Sequence, residues 1–304
     1  MGGNTVRQAP RGASAAVASG KGHKDENFPV ASHLIAARYR PAIMAFYDFV
    51  RAADDVADNA VLTPQGKLDA LDVMEASLLG RSDAEPVALP LRAALAERRL
   101  TLRHAQDLLD AFRLDATKPR TADWAELMHY CSLSAMPVGR YVLDVHGEPD
   151  STWPASDAIC AALQIINHLQ DCGEDLRNLD RVYLPLDALG RAGTGVEALA
   201  APAASPALLA VIKDLAVRTD ALLDAGEALP LRVRDARLAC ELATIVALAR
   251  RLTAFLKHRD PLSQRVHLGK GAMLGVAATA SAGILLRRLG GRGPALSQAG
   301  RARP

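Results

Sequence analysis

Two short acidic stretches carry the residues best suited to chemistry. In RAADDVADN (51–59), Asp54 and Asp58 stand four residues apart, with Asp55 beside them and Arg51 one turn earlier. In NHLQDCGEDL (167–176), Asp171 and Asp175 repeat that spacing, Asn167 precedes them by another four, and Glu174 borders the stripe. On an α-helix, residues four apart share a face, so each stretch presents a pair of aspartates on one side. Like charges at this spacing cost a few tenths of a kcal/mol when exposed, and more when partly buried. A cation removes that cost. Hard oxygen ligands suit Mg²⁺, which takes one or two carboxylates, waters and the phosphate oxygens of a substrate. Two such helices facing each other across a cavity imply ionisation of a diphosphate ester, with cations on the leaving group and a dry apolar space for the carbocation. A lone acidic face is usually solvated. The second pair favours a site, because both pairs lie in apolar helices beside polar positioning groups (Arg51; Asn167 and Gln164).

The elements that must hold these residues are helices. RPAIMAFYDFVRAADDVADN (40–59) begins at Pro41, a favoured first-turn residue, and repeats apolar residues at helical spacing. Residues 63–80 have Thr63 as N-cap, Pro64 in the first turn and Gly80 as a stop. Segments 101–115, 121–146, 155–177, 206–228 and 230–258 are also periodic, with Pro137 expected to kink the fourth element of the chain, 121–146. VEALAAPAASPAL (196–208) reads as a flexible connector. Strand signals and internal repeats are lacking, so the expectation is one all-α domain over 23–288. Tails at 1–22 and 289–304 flank it, the first read as disordered and the second as flexible and basic.

Half of the 304 residues are hydrophobic and 4% aromatic, a composition that suits close-packed Ala- and Leu-rich helices. A net charge of +2 gives no argument for a nucleic-acid partner. Cys131, Cys160, Cys172 and Cys240 form no C-x-x-C pair and read as free thiols in a reducing compartment. Residues 1–22 lack the apolar segment of a secretory signal, which points to the cytoplasm. AMLGVAATASAGILL (272–286) is uncharged but short of the roughly twenty residues a span needs, so a buried or interfacial helix is expected. With Arg287 and Arg288 after it, a peripheral place on the inner membrane face is one reading and a solvated tail the other. The glycine-rich runs GRAGTG and GGRG follow helices rather than strands, so neither fits a dinucleotide fingerprint.

RAADDVAD followed much later by NHLQDCGEDL and LDRVYLP resembles the two aspartate signatures of the squalene/phytoene synthase family, over roughly residues 23–270. The resemblance implies an isoprenoid-synthase helical bundle with a central cavity, prenyl diphosphate substrates and a Mg²⁺ cluster. By position it implies metal ligands at Asp54, Asp58, Asp171 and Asp175. It makes Asn167 a further polar partner and puts Tyr47, Tyr130 and Tyr183 around the reacting groups. Substrate contacts would come from Arg51, Asn27, Phe28, Gln164 and Arg181.

Three local departures narrow the expectation. HKDENFPVAS (23–32) puts Asp25, Glu26 and Asn27 where hydroxyl residues commonly meet a diphosphate. CSLSAMPVGR (131–140) places Met136 and Pro137 where small residues are common, and Gln170 replaces a frequent arginine. Two of these stretches, ENFPVAS and SAMPVGR, resemble the hydroxysqualene synthases within the family, which ionise presqualene diphosphate and capture the rearranged cation with water. Acidic groups at 25 and 26 disfavour a second diphosphate, as an enzyme handling one diphosphate can tolerate. A capped helix entry is the plain alternative for that stretch. Two other readings stay open: a head-to-head condensing enzyme making presqualene diphosphate or phytoene, and a non-catalytic assembly factor on the same fold.

Overall fold

The computed structural model describes residues 35–290, so the tail at 1–22, Asn27, Phe28 and the acidic stretch before them lie outside the described residues, as does 291–304. Within them the chain forms α1 (Arg40–Ala57), α2 (Pro64–Leu78), α3 (Ala88–Arg98), α4 (Arg103–Thr117), α5 (Trp124–Ser134) and α6 (Met136–Val145). Then come α7 (Trp153–Leu179), α8 (Leu186–Arg191), α9 (Pro206–Gly226), α10 (Leu229–Arg232), α11 (Ala236–Leu256) and α12 (Lys270–Gly290). No strand occurs among the described residues. An isolated parallel bridge joins Arg120 to Val182.

Local chemistry sets the helix ends much as the sequence predicts. Pro41 and Pro64 sit in first turns, where a missing N–H costs nothing. Thr63 Oγ1 accepts from Gly66 N at 3.1 Å, and Gly80 closes α2 at a φ of 74°. The expected kinked helix over 121–146 is instead two helices. The chain breaks at Ala135, and Pro137 opens α6 as a first-turn residue. The 230–258 segment likewise divides into α10 and α11. The expected flexible connector at 196–208 is corrected too: Val196–Ala200 forms a 3₁₀ turn whose Leu199 is fully buried in the core around α7.

Of three hydrophobic clusters among the described residues, two flank the site, and the third packs α6, α10, α11 and α12 around Ile159 and Leu238. The first joins α1–α4 through Phe46, Phe49, Leu71, Leu78, Leu91 and Leu109. The second surrounds α7 and takes in Ile165, Ile166, Leu169, Ile212, Leu215 and Leu252. Helix α6 leans on the first: Tyr141 stacks on Phe46 at 4.0 Å and donates to the Ala42 carbonyl at 2.8 Å. α1 therefore belongs to one cluster and α7 to the other. The acidic faces of both are turned to the space between.

Close packing of α9 on α7 depends on one glycine. A Cβ on Gly226 would lie 2.4 Å from Ile159 Cγ1 and 2.9 Å from the Ala155 carbonyl oxygen. The side chain can turn aside; the backbone oxygen cannot. Gly226→Ala should therefore destabilise by about 1–3 kcal/mol, as overpacking does. Thermal melting reads it, and an unchanged midpoint would refute the close approach.

Helix α12 is 21 residues long, so the uncharged 272–286 core extends in both directions. Val276 and Ile284 are its buried residues, while Leu274, Leu285, Leu286 and Leu289 are exposed. The helix is long and apolar enough to cross a membrane, with 11% of its apolar window buried. That corrects the buried alternative: α12 lies along α11 and shows most of its surface to the outside.

Candidate active site

The segment leaving α7 builds one wall of the site. Asp180 ends the helix in the left-handed region, φ 51°. Its carboxylate accepts from Arg120 Nη2 at 2.5 Å, and Arg120 also donates to its carbonyl. Val182 N then donates to the Pro119 carbonyl at 2.9 Å, and Thr121 N to the Val182 carbonyl at 3.1 Å. This short clamp to the α4–α5 loop fixes Arg181 and Tyr183 on either side of Val182. Arg181, 6% exposed, donates to Asp58 Oδ1 at 2.6 Å and to the Ala57 carbonyl at 2.9 Å. Lys67 Nζ reaches the same carbonyl at 2.6 Å, so two cations meet the negative C-terminal end of α1.

A cavity of about 640 Å³ opens between α1, α4, α5 and α7. Tyr47, Arg51, Asp54 and Asp58 line it from the α1 side, and Gln164, Asn167, Asp171 and Asp175 from α7. Tyr130, Arg181 and Tyr183 complete it, so every sequence-predicted site residue within the described region converges here. Gln170 does not: it is buried on the far side, donating to the Val266 carbonyl. Met136 packs against the core around α7 and is not among the lining residues.

Asp115 and His168 are among the lining residues that were not anticipated. Asp115, near the end of α4, accepts from Tyr130 Oη and Tyr183 Oη, both at 2.8 Å. His168, on α7, stacks on Tyr183 with ring centroids 3.7 Å apart. Gln164 Nε2 donates to its Nε2 at 3.1 Å, which leaves the ring proton on Nδ1. The Gln164/His168 pair at i,i+4 within an apolar run was the available sequence signal. Asp115 offered none, because its partners arrive from 15 and 68 residues away.

Electrostatics mark the cavity as short of positive charge. Six carboxylates line it against two guanidinium groups. Asp54 is pushed up to about 7 by burial and by the Asp58 charge, against the pull of Arg51, with Asp115 and Asp55 adding to the rise. Burial also raises Asp115, although Arg181 and the two tyrosine hydroxyls oppose it. Tyr130 and Tyr183 are held well above the ordinary phenol range by burial and by Asp115. His168 is lowered to about 3, by burial and then by Arg181, and is a neutral imidazole at physiological pH. Arg51 spans Asp54 and Asp55 at 3.1 Å each. In this geometry the guanidinium groups serve as the counterions of the first aspartate pair.

The donor set fits hydrated divalent cations. Among the described residues no three His, Cys, Asp or Glu groups converge into a ready-made cage. The carboxylates present would suit an ion held by one or two of them and completed by water and phosphate oxygens. An anionic diphosphate entering a wall of six carboxylates also requires bridging positive charge. The cysteines are free, and Cys131, Cys160 and Cys172 are pushed up to about 12, 11 and 12 by burial, so these thiols stay protonated.

The chain is 54% identical over 284 residues to the hydroxysqualene synthase of Rhodopseudomonas palustris, covering 93% of this chain and 97% of that protein. It is 50% identical to the hydroxysqualene synthase of Sinorhizobium fredii, covering 89% and 93%. The solved structure of a squalene synthase from Alicyclobacillus acidocaldarius superposes with a TM-score of 0.62 at 29% identity, over 84% of this chain and 86% of that one. The family model for squalene/phytoene synthase matches residues 21–272. The chain belongs to the squalene/phytoene synthase family.

Proposed function

We propose that the chain is a hydroxysqualene synthase, converting presqualene diphosphate and water to hydroxysqualene and diphosphate. The observation that carries this reading is the convergence of two aspartate pairs, one on α1 and one on α7, on a single cavity with excess negative charge. The similarity to hydroxysqualene synthases over nearly the whole chain supports it.

Asp54, Asp58, Asp171 and Asp175 would hold Mg²⁺, which when bound would supply the positive charge that stabilises a departing diphosphate. Arg51 lines the cavity beside Asp54 and would offer its guanidinium to a phosphate oxygen of the substrate. Asn167 and Gln164 donate amide hydrogens to the same region from α7. Tyr47, Tyr130 and Tyr183 line the space where the hydrocarbon cation would form, a charge that aromatic π-clouds favour. Asp115 keeps the latter two rings in place through their hydroxyls. Leu108 and Phe112 of α4 supply apolar wall that keeps bulk water from the cation. Asn27 and Phe28 lie outside the described residues, and their reading as substrate contacts rests on the family resemblance alone.

The test offers the protein Mg²⁺ with either presqualene diphosphate or farnesyl diphosphate in ¹⁸O-labelled water, followed by lipid analysis. Labelled hydroxysqualene from the first substrate alone is the expected result. Efficient condensation of farnesyl diphosphate would transfer the assignment to a head-to-head synthase and leave the metal site as described.

We further propose that the enzyme works on a membrane surface, with α12 lying in the interface. The support is physical: a thirty-carbon substrate gains about 0.8 kcal/mol per buried CH₂ in lipid, and α12 exposes Leu274, Leu285, Leu286 and Leu289. Its attachment to α11 through Val276 and Ile284 and the Arg288 bond to the Val233 carbonyl favour an in-plane position over a span. Replacing Leu274 and Leu286 together by Glu should cut co-flotation with anionic vesicles several-fold without changing the melting point. Undiminished flotation would dismiss α12 as the contact.

A further inference from the structure

Helix α7 places a histidine in the cavity wall between residues of the second signature, and nothing in the metal or diphosphate chemistry requires it. His168 is 7% exposed, lines the cavity and is held from two directions. Tyr183 stacks on its face, and Gln164 occupies Nε2. The ring is therefore fixed with Nδ1–H as its remaining polar edge. That nitrogen lies 4.0 Å from Asp175 Oδ2. The separation is too long for a direct hydrogen bond, yet one water can span it.

We propose that His168 is a positioning residue for water capture: its Nδ1–H and the Asp175 carboxylate together seat one water in the cavity wall, facing the hydrocarbon cation. The proposal rests on the reading of this site as one that ends its reaction with water. The Nδ1–H donates to one oxygen lone pair, and Asp175 accepts one water hydrogen. The second lone pair is left pointing inward. It forms the new C–O bond to the cationic carbon. The other water O–H then breaks, its electrons stay on oxygen, and the proton passes to the diphosphate released at ionisation. The step involves no oxidant or reductant, and the imidazole keeps its protonation state throughout. Without a seated water the cation loses a neighbouring proton instead and ends as an alkene, so His168 decides which product forms.

Two substitutions give opposite expectations for a positioning role and for a packing role. His168→Phe keeps the ring that stacks on Tyr183 and removes both nitrogens. His168→Asn removes the ring and keeps an N–H donor near the place of Nδ1. The readout is the ratio of hydroxysqualene to alkene formed from presqualene diphosphate with Mg²⁺, which does not depend on the overall rate. A seated water predicts at least a tenfold fall in that ratio for His168→Phe and a ratio within about threefold of wild type for His168→Asn. The reverse pattern, or an unchanged ratio in a folded His168→Phe, would overturn the proposal. Either variant suffices if the other does not fold. Failure of the underlying reading looks different, because the wild-type protein would then give no alcohol at all.

Discussion

Asp54→Ala and Asp171→Ala should each lower turnover of presqualene diphosphate by roughly 10³ while leaving the helical circular-dichroism signal unchanged. Each removes an oxygen ligand from one side of the cavity, and the cation that stabilises the leaving group must be held from both. Neither side chain supports the fold, since each is half-exposed on a helix whose opposite face carries the core. Removing Asp54 also relieves repulsion by Asp58 and Asp115. EDTA should arrest the wild-type enzyme and Mg²⁺ restore it. The affinity for Mg²⁺ should rise with pH up to about 7, where the Asp54 carboxyl gives up its proton. The sign is fixed by the direction of the shift: a carboxyl raised in the folded state is protonated at mild acidity and must ionise to bind a cation. A variant with near-wild-type turnover, or activity persisting in EDTA, would defeat the metal assignment.

Arg181→Met should have the largest effect on stability, about 3–5 kcal/mol, with a melting point lower by on the order of 10 °C. Arg181 is buried, bonded to Asp58 and to the end of α1, and faces Asp115. Burial works against its charge, but Asp115 and Asp58 outweigh that and hold the guanidinium firmly protonated. Removing it leaves the shielded Asp115 and Asp58 without their counterion, so the loss exceeds that of an exposed pair. Arg181→Lys should recover part of the stability and less of the activity, since an ammonium keeps the charge but not the fork that spans Asp58 and the Ala57 carbonyl. A melting point within a degree or two of wild type in Arg181→Met would show that the ion pair carries no such energy.

The convergence of the two aspartate pairs was legible in the sequence because each pair lies within a single helix, where spacing fixes the face. Arg51, Gln164 and Asn167 were legible for the same reason: each stands three, four or seven residues from an aspartate of its own helix, whereas Tyr47 came only from the family resemblance. Asp115 was not, because its role appears only when the chain after Asp180 returns to the α4–α5 loop and brings Tyr183 beside Tyr130. His168 lay in plain sight on α7, but a lone histidine in an apolar run reads as core. In the fold, α3 escaped because Pro86 and Pro90 interrupt the pattern of 85–98. Pro90 is tolerated at the third position of the helix, where the backbone N–H has no intrahelical partner to lose. The break at Ala135 reflects a choice between a bent helix and two helices that a proline permits equally.

Because the cavity lies on the seam between two hydrophobic clusters, its ligand also acts as a part of the architecture. One aspartate pair stands on a helix of each cluster, so a ligand held by both pairs, such as the proposed cation-diphosphate assembly, would tie the two clusters together. Its binding free energy then enters the folding equilibrium as RT ln(1 + [L]/Kd), about 2.7 kcal/mol at a hundredfold excess over Kd. The exchange is reciprocal. A substitution deep in either cluster that lets the two drift apart weakens substrate binding without touching a single lining residue. One that tightens the seam strengthens binding, and slows the opening through which diphosphate must leave.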